Sequence, residues 1–404
     1  MPSQSAPATQ PLHGDGLFAS RIDNEPFGVC NFQREPALRI LHVLNHTRRL
    51  NGHVHLTIDL ACMQAQLGHE VAIASGDGDF DALLAAHGVE VIRIDQRQKP
   101  LVALRAVAAL TRLLRSRPFD IVHAHMMTSA VLCWPACKAA GVPLITTVHN
   151  EFARSAVAMG VGRRVIAVSD AVARSMARRG IPASRIRTVL NGNIGSPRLS
   201  APAGPPAALS TPSILYVGGL HPRKGAPVLL QAFERVARAV PEASLHFVGD
   251  GPHRAEYEAM AAAMPCAAAI TFHGGWDDPR PFFRGADVFV LPSLAEPAGL
   301  VLSEASEAGC AIVASDVGGV PEMLDGGKAG LLVPPDDPTR LAEALVSLLT
   351  TPGALAGAKS RASANAARMT LDRVVEETFA VYRECLPASA PGGSQPQVSG
   401  SRLR

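Results

Sequence analysis

Residues 287–322 read DVFVLPSLAEPAGLVLSEASEAGCAIVASDVGGVPE. The run opens as an apolar, β-branched strand that ends at Pro292-Ser293, crosses a loop carrying Glu296, and enters a helix at Gly299. A second apolar run, AIVAS (311–315), follows. The segment is therefore a strand, a helix and a strand in succession, the unit from which parallel sheets are built. A helix N-terminus offers free backbone N–H groups and a positive dipole end, so Gly299, Leu300 and Val301 are placed to bind a phosphate or diphosphate. Glycine there lets a ligand approach the backbone closely. Glu304, one turn into the helix, is placed to accept hydrogen bonds from vicinal hydroxyls such as those of a ribose, and Glu296 at the strand exit to face a cleft. Two glutamates eight positions apart are common by chance, so the spacing alone does not decide between a site and a solvated loop.

The same alternation extends in both directions. Before residue 195, RILHVL (39–44), HEVAIAS (69–75), VEVIRID (89–95), FDIVHAH (119–125), PLITTVH (143–149), RRVIAVS (163–169) and IRTVL (186–190) read as strands. After residue 212, SILYVGG (213–219), SLHFVGD (244–250), AITFHGG (269–275), DVFVLPS (287–293), AIVAS (311–315) and AGLLVP (329–334) do the same. Between the two sets lies GSPRLSAPAGPPAALSTP (195–212), whose prolines forbid a continuing helix or central strand. The expected organisation is α/β. It comprises a Rossmann-like domain at 37–194, a linker at 195–212, a second Rossmann-like domain at 213–370 and a closing helix at 371–386. Residues 1–36 and 387–404, rich in Pro, Ser, Ala and Gly, read as disordered tails. Two such domains in sequence place a cleft between the C-terminal edges of their sheets, where open α/β sheets bind ligands.

The chain has 404 residues and a formal net charge of +3, with 4% aromatic residues. That balance argues against a nucleic-acid partner, which would call for a basic stripe and stacking platforms. The small total conceals a division: residues 37–195 carry +9 and residues 213–385 carry −7. A basic first domain suits an anionic acceptor or an anionic membrane surface. The cysteines, seven in all and scattered, form no paired zinc-type modules and read as reduced core thiols in a cytoplasmic protein. No apolar run approaches the length of a membrane span, and MPSQSAPATQ lacks the charged-then-apolar order of a secretory signal. Neither a Gly-x-Ser-x-Gly elbow nor a P-loop occurs. Asp77-Gly78-Asp79 has the spacing of a metal-binding Asp-x-Asp but sits in a Gly- and Asp-rich stretch that reads better as a polar turn.

EPAGLVLSE (296–304) resembles the Glu-x7-Glu signature of the retaining glycosyltransferases of family 4, which have the GT-B fold. VGGLHPRKG (217–225), HFVGDGP (246–252), ASDVGGVPEML (314–324) and GLLVPPDDP (330–338) occur in that family's order. So do GHEV (68–71), TTVHN (146–150), VIAVSDAV (165–172) and TVLNGN (188–193), so the resemblance covers about residues 38–385. It implies transfer of a sugar from a nucleotide-diphosphate donor, with a UDP-sugar favoured, to a glycan or lipid-linked acceptor in cell-surface polysaccharide or glycolipid synthesis. No cofactor or catalytic metal is expected, and the protein is expected in the cytoplasm, peripheral at the inner face of the plasma membrane.

By position, the resemblance gives Lys224 the diphosphate, Glu304 the ribose, and Glu296 and His149 the transferring sugar. Gly52, Gly219, Arg223, Gly249, Gly299, Leu300 and Val301 join the donor site. His123 and His125, at another strand exit, are read as lining the acceptor side. Two departures stand out. Where the family often has Gly-Arg-Leu, this chain has Gly218-Gly219-Leu220, removing a charge-assisted phosphate contact worth about 1.5–3 kcal/mol, with Arg223 as a candidate substitute. The usual aromatic of Glu-Gly-Phe-Gly is Ala298, after Pro297. These departures keep a non-catalytic nucleotide-sugar binder as an alternative, beside a GT-B-like nucleotide-sugar epimerase.

Overall fold

Each β-branched run becomes a strand in the computed structural model, which describes residues 36–49 and 51–387. The first seven strands are β1 Arg39–Val43, β2 Glu70–Ser75, β3 Glu90–Arg93, β4 Ile121–Ala124, β5 Leu144–Val148, β6 Arg164–Ala167 and β7 Ile186–Thr188. They form one sheet in the order β3-β2-β1-β4-β5-β6-β7. The other six are β8 Ser213–Val217, β9 Ser244–Val248, β10 Ile270–Phe272, β11 Val288–Leu291, β12 Ala311–Ser315 and β13 Leu331–Val333, in the order β10-β9-β8-β11-β12-β13. Pairing is parallel throughout both sheets. Strands covered by helices on both faces read as unbroken apolar runs, which is why the sequence exposes them so clearly. Most strands stop short of the runs, and after β4, β5, β8 and β9 the residues that leave the ladder, His125, His149, Gly218-Gly219 and Gly249-Asp250, line the cleft. The expected tails lie outside the described residues, apart from Pro36 and Pro387.

Strand order reverses between β1 and β4 in the first sheet and between β8 and β11 in the second. Ligands of doubly wound sheets bind at these switch points, beyond the C-terminal strand ends. Helix starts are fixed locally. Ser169 accepts from the N–H of Val172 to open helix Asp170–Arg178, and Asp337 accepts from Thr339 and Arg340 to open Pro338–Thr350.

The last helix, Leu371–Arg383, leaves the second domain and packs on the first. Its stripe of Leu371, Val374, Val375, Phe379 and Tyr382 is buried against Ile40, Leu60, Ile121, Ile145 and Val189. The chain thus crosses between domains twice, and the crossings touch: Leu371 N–H donates to Ile194 O at 2.8 Å and Ile194 N–H to Met369 O at 3.2 Å.

The proline-rich linker is tied down at its start. Arg198 makes a two-point ion pair with Asp59 of helix Gly52–Gln66 at 2.8 and 2.9 Å, both side chains being almost fully buried. Ser196 donates to the same carboxylate at 2.7 Å, and Arg280 of the second domain holds Leu199 O and Ala201 O. Among the described residues, no single helix is long and apolar enough to cross a membrane, and the six described cysteines are free thiols.

Candidate active site

All eleven residues nominated for donor binding and catalysis line one cleft of about 740 Å³ between the two domains. From the second domain, β8 is followed by Gly218-Gly219 and leads through the short turn Pro222–Lys224 to helix Ala226–Ala239. This turn delivers Lys224 Nζ to 2.5 Å from Glu296 Oε2. Ser293 Oγ, at 3.3 Å, donates to the same oxygen. The pair is largely buried, so its attraction is screened far less than on an open surface.

The loop carrying Glu296 is held by backbone packing that tolerates no side chain behind it. Gly319 N–H donates to Glu296 O at 3.1 Å, and a Cβ on Gly318, whose φ is +54°, would lie 1.9 Å from that oxygen. Gly249 is constrained in the same way, with φ +139° and Gly218 O at 2.0 Å from any Cβ. Gly52 differs: a Cβ there would meet Leu300 at an ordinary 3.6 Å, so protein packing does not demand glycine at that position.

The helix expected to open at Gly299 runs over Val301–Glu307, with Leu300 at its N-cap. Among the described residues, the N–H groups of Gly299, Leu300 and Val301 have no protein acceptor and remain available to an anion. Glu304 accepts from Asn193 Nδ2 at 2.9 Å. Its pKa is pushed up to about 7, chiefly by desolvation, while the Arg198 charge and the Asn193 hydrogen bond pull it back.

Arg223 lines the cleft, but its guanidinium donates to Ala295 O at 2.9 Å and lies 4.8 Å from the centroid of the Phe152 ring. It is thus engaged with the Glu296 loop and with an aromatic residue of the first domain.

His149 enters from the opposite wall at the end of β5, with its Nε2 3.2 Å from His125 Nδ1. Burial and the neighbouring His53 lower its pKa to about 3, so the ring is neutral at pH 7. The paired reading of His123 and His125 is corrected in part. His125 lines the cleft, whereas His123 is buried, between the Tyr382 hydroxyl and Thr147 Oγ1, both at 2.7 Å, and does not face the acceptor side. Asp77-Gly78-Asp79 is a polar turn: Arg48 holds the Asp77 carboxylate and Arg49 N–H donates to Asp79.

Several participants were not nominated as site residues. TVLNGN and VIAVSDAV dock the domains. Asn191 donates to Ala298 O at 3.1 Å and Ser169 to Pro297 O at 2.7 Å, while the Glu322 carboxylate accepts from the N–H groups of Asp170 and Ala171 at 2.6 and 2.9 Å. Glu151 is buried with one carboxylate oxygen unpartnered, and desolvation raises its pKa.

Two Rossmann-like domains with a lysine-carboxylate pair, an open helix end and a half-buried histidine converging on the cleft between them define a glycosyltransferase of the GT-B class. The family description "Glycosyltransferase Family 4" matches residues 50–192 and "Glycosyl transferases group 1" residues 211–351. Phosphatidyl-myo-inositol mannosyltransferase of Mycolicibacterium smegmatis is 33% identical over 300 residues, covering 71% of this chain and 75% of that protein. D-inositol 3-phosphate glycosyltransferase of Acidothermus cellulolyticus is 33% identical over 313 residues, covering 69% and 70%. Among solved structures, a glycosyltransferase from Rickettsia africae has a TM-score of 0.76 at 21% identity, covering 88% of this chain and 100% of that one. HepE of Anabaena in complex with UDP and glucose has a TM-score of 0.74 at 21% identity, covering 86% and 100%. The chain belongs to glycosyltransferase family 4, within the glycosyl transferases group 1.

Proposed function

We propose that this glycosyltransferase moves a sugar, with retention at the anomeric carbon, from a UDP-sugar to a glycan or lipid-linked acceptor in cell-surface polysaccharide or glycolipid synthesis. The observation that carries the reading is the Lys224-Glu296 pair at 2.5 Å beside the open N–H groups of Gly299, Leu300 and Val301. A diphosphate bound at those N–H groups would take Lys224 as its cation. Glu296 would then be freed to accept from a hydroxyl of the transferring sugar, and Glu304 would hold the ribose.

As the bond between the anomeric carbon and the phosphate oxygen lengthens, negative charge gathers on the diphosphate, where Lys224 and the helix end stabilise it. The acceptor hydroxyl forms its bond to the anomeric carbon from the same face and gives its proton to the departing phosphate oxygen. Configuration is retained, and nucleoside diphosphate leaves. This scheme asks for no catalytic metal and no separate general base.

The UDP assignment draws support from HepE, which shares the fold and was crystallised with UDP and glucose. An anionic acceptor is supported by the basic first domain and by relatives named for phosphatidyl-myo-inositol and D-inositol 3-phosphate. Peripheral membrane attachment at the cytoplasmic face is supported by helices Pro100–Ser116 and Met127–Ala140. They expose Leu101, Leu104, Val131 and Trp134 beside Arg105, Arg112, Arg115 and Lys138.

The test is nucleoside diphosphate release from UDP-, GDP- and ADP-sugars, with and without phosphatidylinositol-containing vesicles as acceptor. Acceptor-dependent release with a UDP-sugar is expected. Tight binding without turnover across the panel would contradict catalysis, and acceptor-independent conversion of the sugar would point to an epimerase.

A further inference from the structure

Four histidines, a glutamine and a tyrosine form an unbroken hydrogen-bonded line from the cleft into the first domain. His149 Nε2 is 3.2 Å from His125 Nδ1, His125 Nε2 is 2.9 Å from His42 Nδ1, and His42 Nε2 is 2.7 Å from Gln64 Oε1. On its other side Gln64 Nε2 reaches the Tyr382 hydroxyl at 3.4 Å, which is 2.7 Å from His123 Nδ1. His123 Nε2 ends the line at Thr147 Oγ1, 2.7 Å away. Every member except His149, which opens on the cleft, is buried.

A neutral imidazole has one N–H and one lone pair, so each ring passes on the polarity it receives. The rings are neutral: burial lowers the pKa of His42 to about 4 and that of His149 to about 3, and takes His123 and His125 well below the ordinary value. The Gln64 amide oxygen can only accept, so His42 carries its proton on Nε2. Nδ1 of His42 must then accept from His125 Nε2–H, and Nδ1 of His125 from His149 Nε2–H. On the other arm the Gln64 amide N–H donates to the Tyr382 oxygen, the Tyr382 hydroxyl to His123 Nδ1, and His123 Nε2–H to Thr147. Either orientation of the Gln64 amide satisfies both arms, and the opposite one reverses every bond in the line, so the placement of Oε1 toward His42 sets the polarity of the whole.

We propose that this relay, anchored at Gln64, fixes His149 in the Nε2–H tautomer, so that Nδ1 faces the cleft as a lone-pair acceptor for a donor-sugar hydroxyl. The proposal rests on the reading of His149 as a donor-sugar contact. Gln64, His42 and His125 are positioning residues in it, acting through His149. A divalent cation is the rival occupant, since His42, His123 and His125 each offer a ring nitrogen within 4.8 Å of the others. Binding one would replace hydrogen bonds of the relay.

The test is nitrogen NMR of the full-length protein with 15N-labelled histidine imidazoles at pH 7, the His149 signals being assigned by their loss in His149→Asn. The expected spectrum has His149 protonated at Nε2 and bare at Nδ1. In Gln64→Leu, shown to be folded by circular dichroism, a mixture of tautomers is expected. KM for the donor should rise about tenfold there, the cost of one misdirected hydrogen bond, with a much smaller change in kcat. A wild-type His149 protonated at Nδ1 would overturn the proposal, as would stoichiometric Zn²⁺ retained by the purified protein. A folded Gln64→Leu with unchanged tautomer and KM would do the same. If Gln64→Leu does not fold, the wild-type tautomer decides alone. Nε2–H signals that stay unmoved under saturating donor would leave the relay standing and remove His149 from the donor site.

Discussion

Glu304 makes donor binding pH-dependent in a range where His53 and His149 of the same cleft are silent. Its carboxyl titrates near 7 in the free protein because desolvation outweighs the Arg198 charge and the Asn193 hydrogen bond. Two vicinal ribose hydroxyls need two acceptor oxygens, which the carboxylate provides and the neutral acid does not. Donor binding therefore selects the ionised form. With a pKa of about 7, the ionised fraction falls from about nine-tenths at pH 8 to about one-tenth at pH 6, so affinity should fall about tenfold, or ~1.4 kcal/mol. His53 and His149 in the same cleft, lowered to about 4 and about 3, stay neutral over that interval.

The assay is calorimetric titration with an intact nucleotide sugar, whose diphosphate is a diester and does not change charge there, at pH 6, 7 and 8. Glu304→Gln should bind weakly and with a flat profile. A wild-type affinity constant across the three pH values, or a slope that survives in Glu304→Gln, would refute the reasoning. The linkage also fixes the sign for stability. The folded protein keeps on Glu304 a proton that the unfolded chain releases near 4.5, so this group's contribution to stability declines as pH rises from about 4.5 through about 7.

Lys224→Met should lower kcat by about 10²–10³-fold, since it removes a cation aimed at charge that develops in the transition state; steady-state kinetics with saturating donor checks it, and an unchanged kcat would contradict the role. Arg198→Ala should destabilise the fold by about 3–5 kcal/mol, because the Asp59 carboxylate is left buried and unpaired, while Arg198→Ala with Asp59→Ala should cost less, as read by urea unfolding. Chelation with EDTA should leave turnover unchanged, and loss of activity restored by Mg²⁺ or Mn²⁺ would contradict the metal-free scheme. Flotation with anionic vesicles should recover the wild-type protein, and Leu104→Glu with Trp134→Glu should abolish recovery, with neutral vesicles as control.

The fold was legible because parallel strands buried on both faces spell themselves as apolar runs and because proline marks the linker at 195–212. The residues nominated for the donor site were legible for a related reason: β8 and β11 flank the switch point of the second sheet, so the loops carrying Lys224 and Glu296 meet by topology once their strands are placed, while His149 leaves β5 of the other sheet to line the same cleft. Contacts between side chains distant in sequence were not. Asp59 and Arg198 are 139 positions apart and His123 and Tyr382 are 259 apart, and no periodicity links such pairs. The amphipathic stripe of Leu371–Arg383 declared that the helix packs, without declaring on which domain. His123 misled because it shares the strand exit VHAH with His125, yet side chains two apart on a strand share a face only while the strand lasts, and β4 ends at Ala124.

The central claim is retaining transfer of a sugar from a nucleotide diphosphate donor across this cleft. Proton NMR of the freshly formed product, recorded before any anomeric exchange, tests it most directly through the coupling at the anomeric centre. From an α-linked donor the account predicts an α-linked product and one nucleoside diphosphate released per linkage formed. A β-linked product would contradict it.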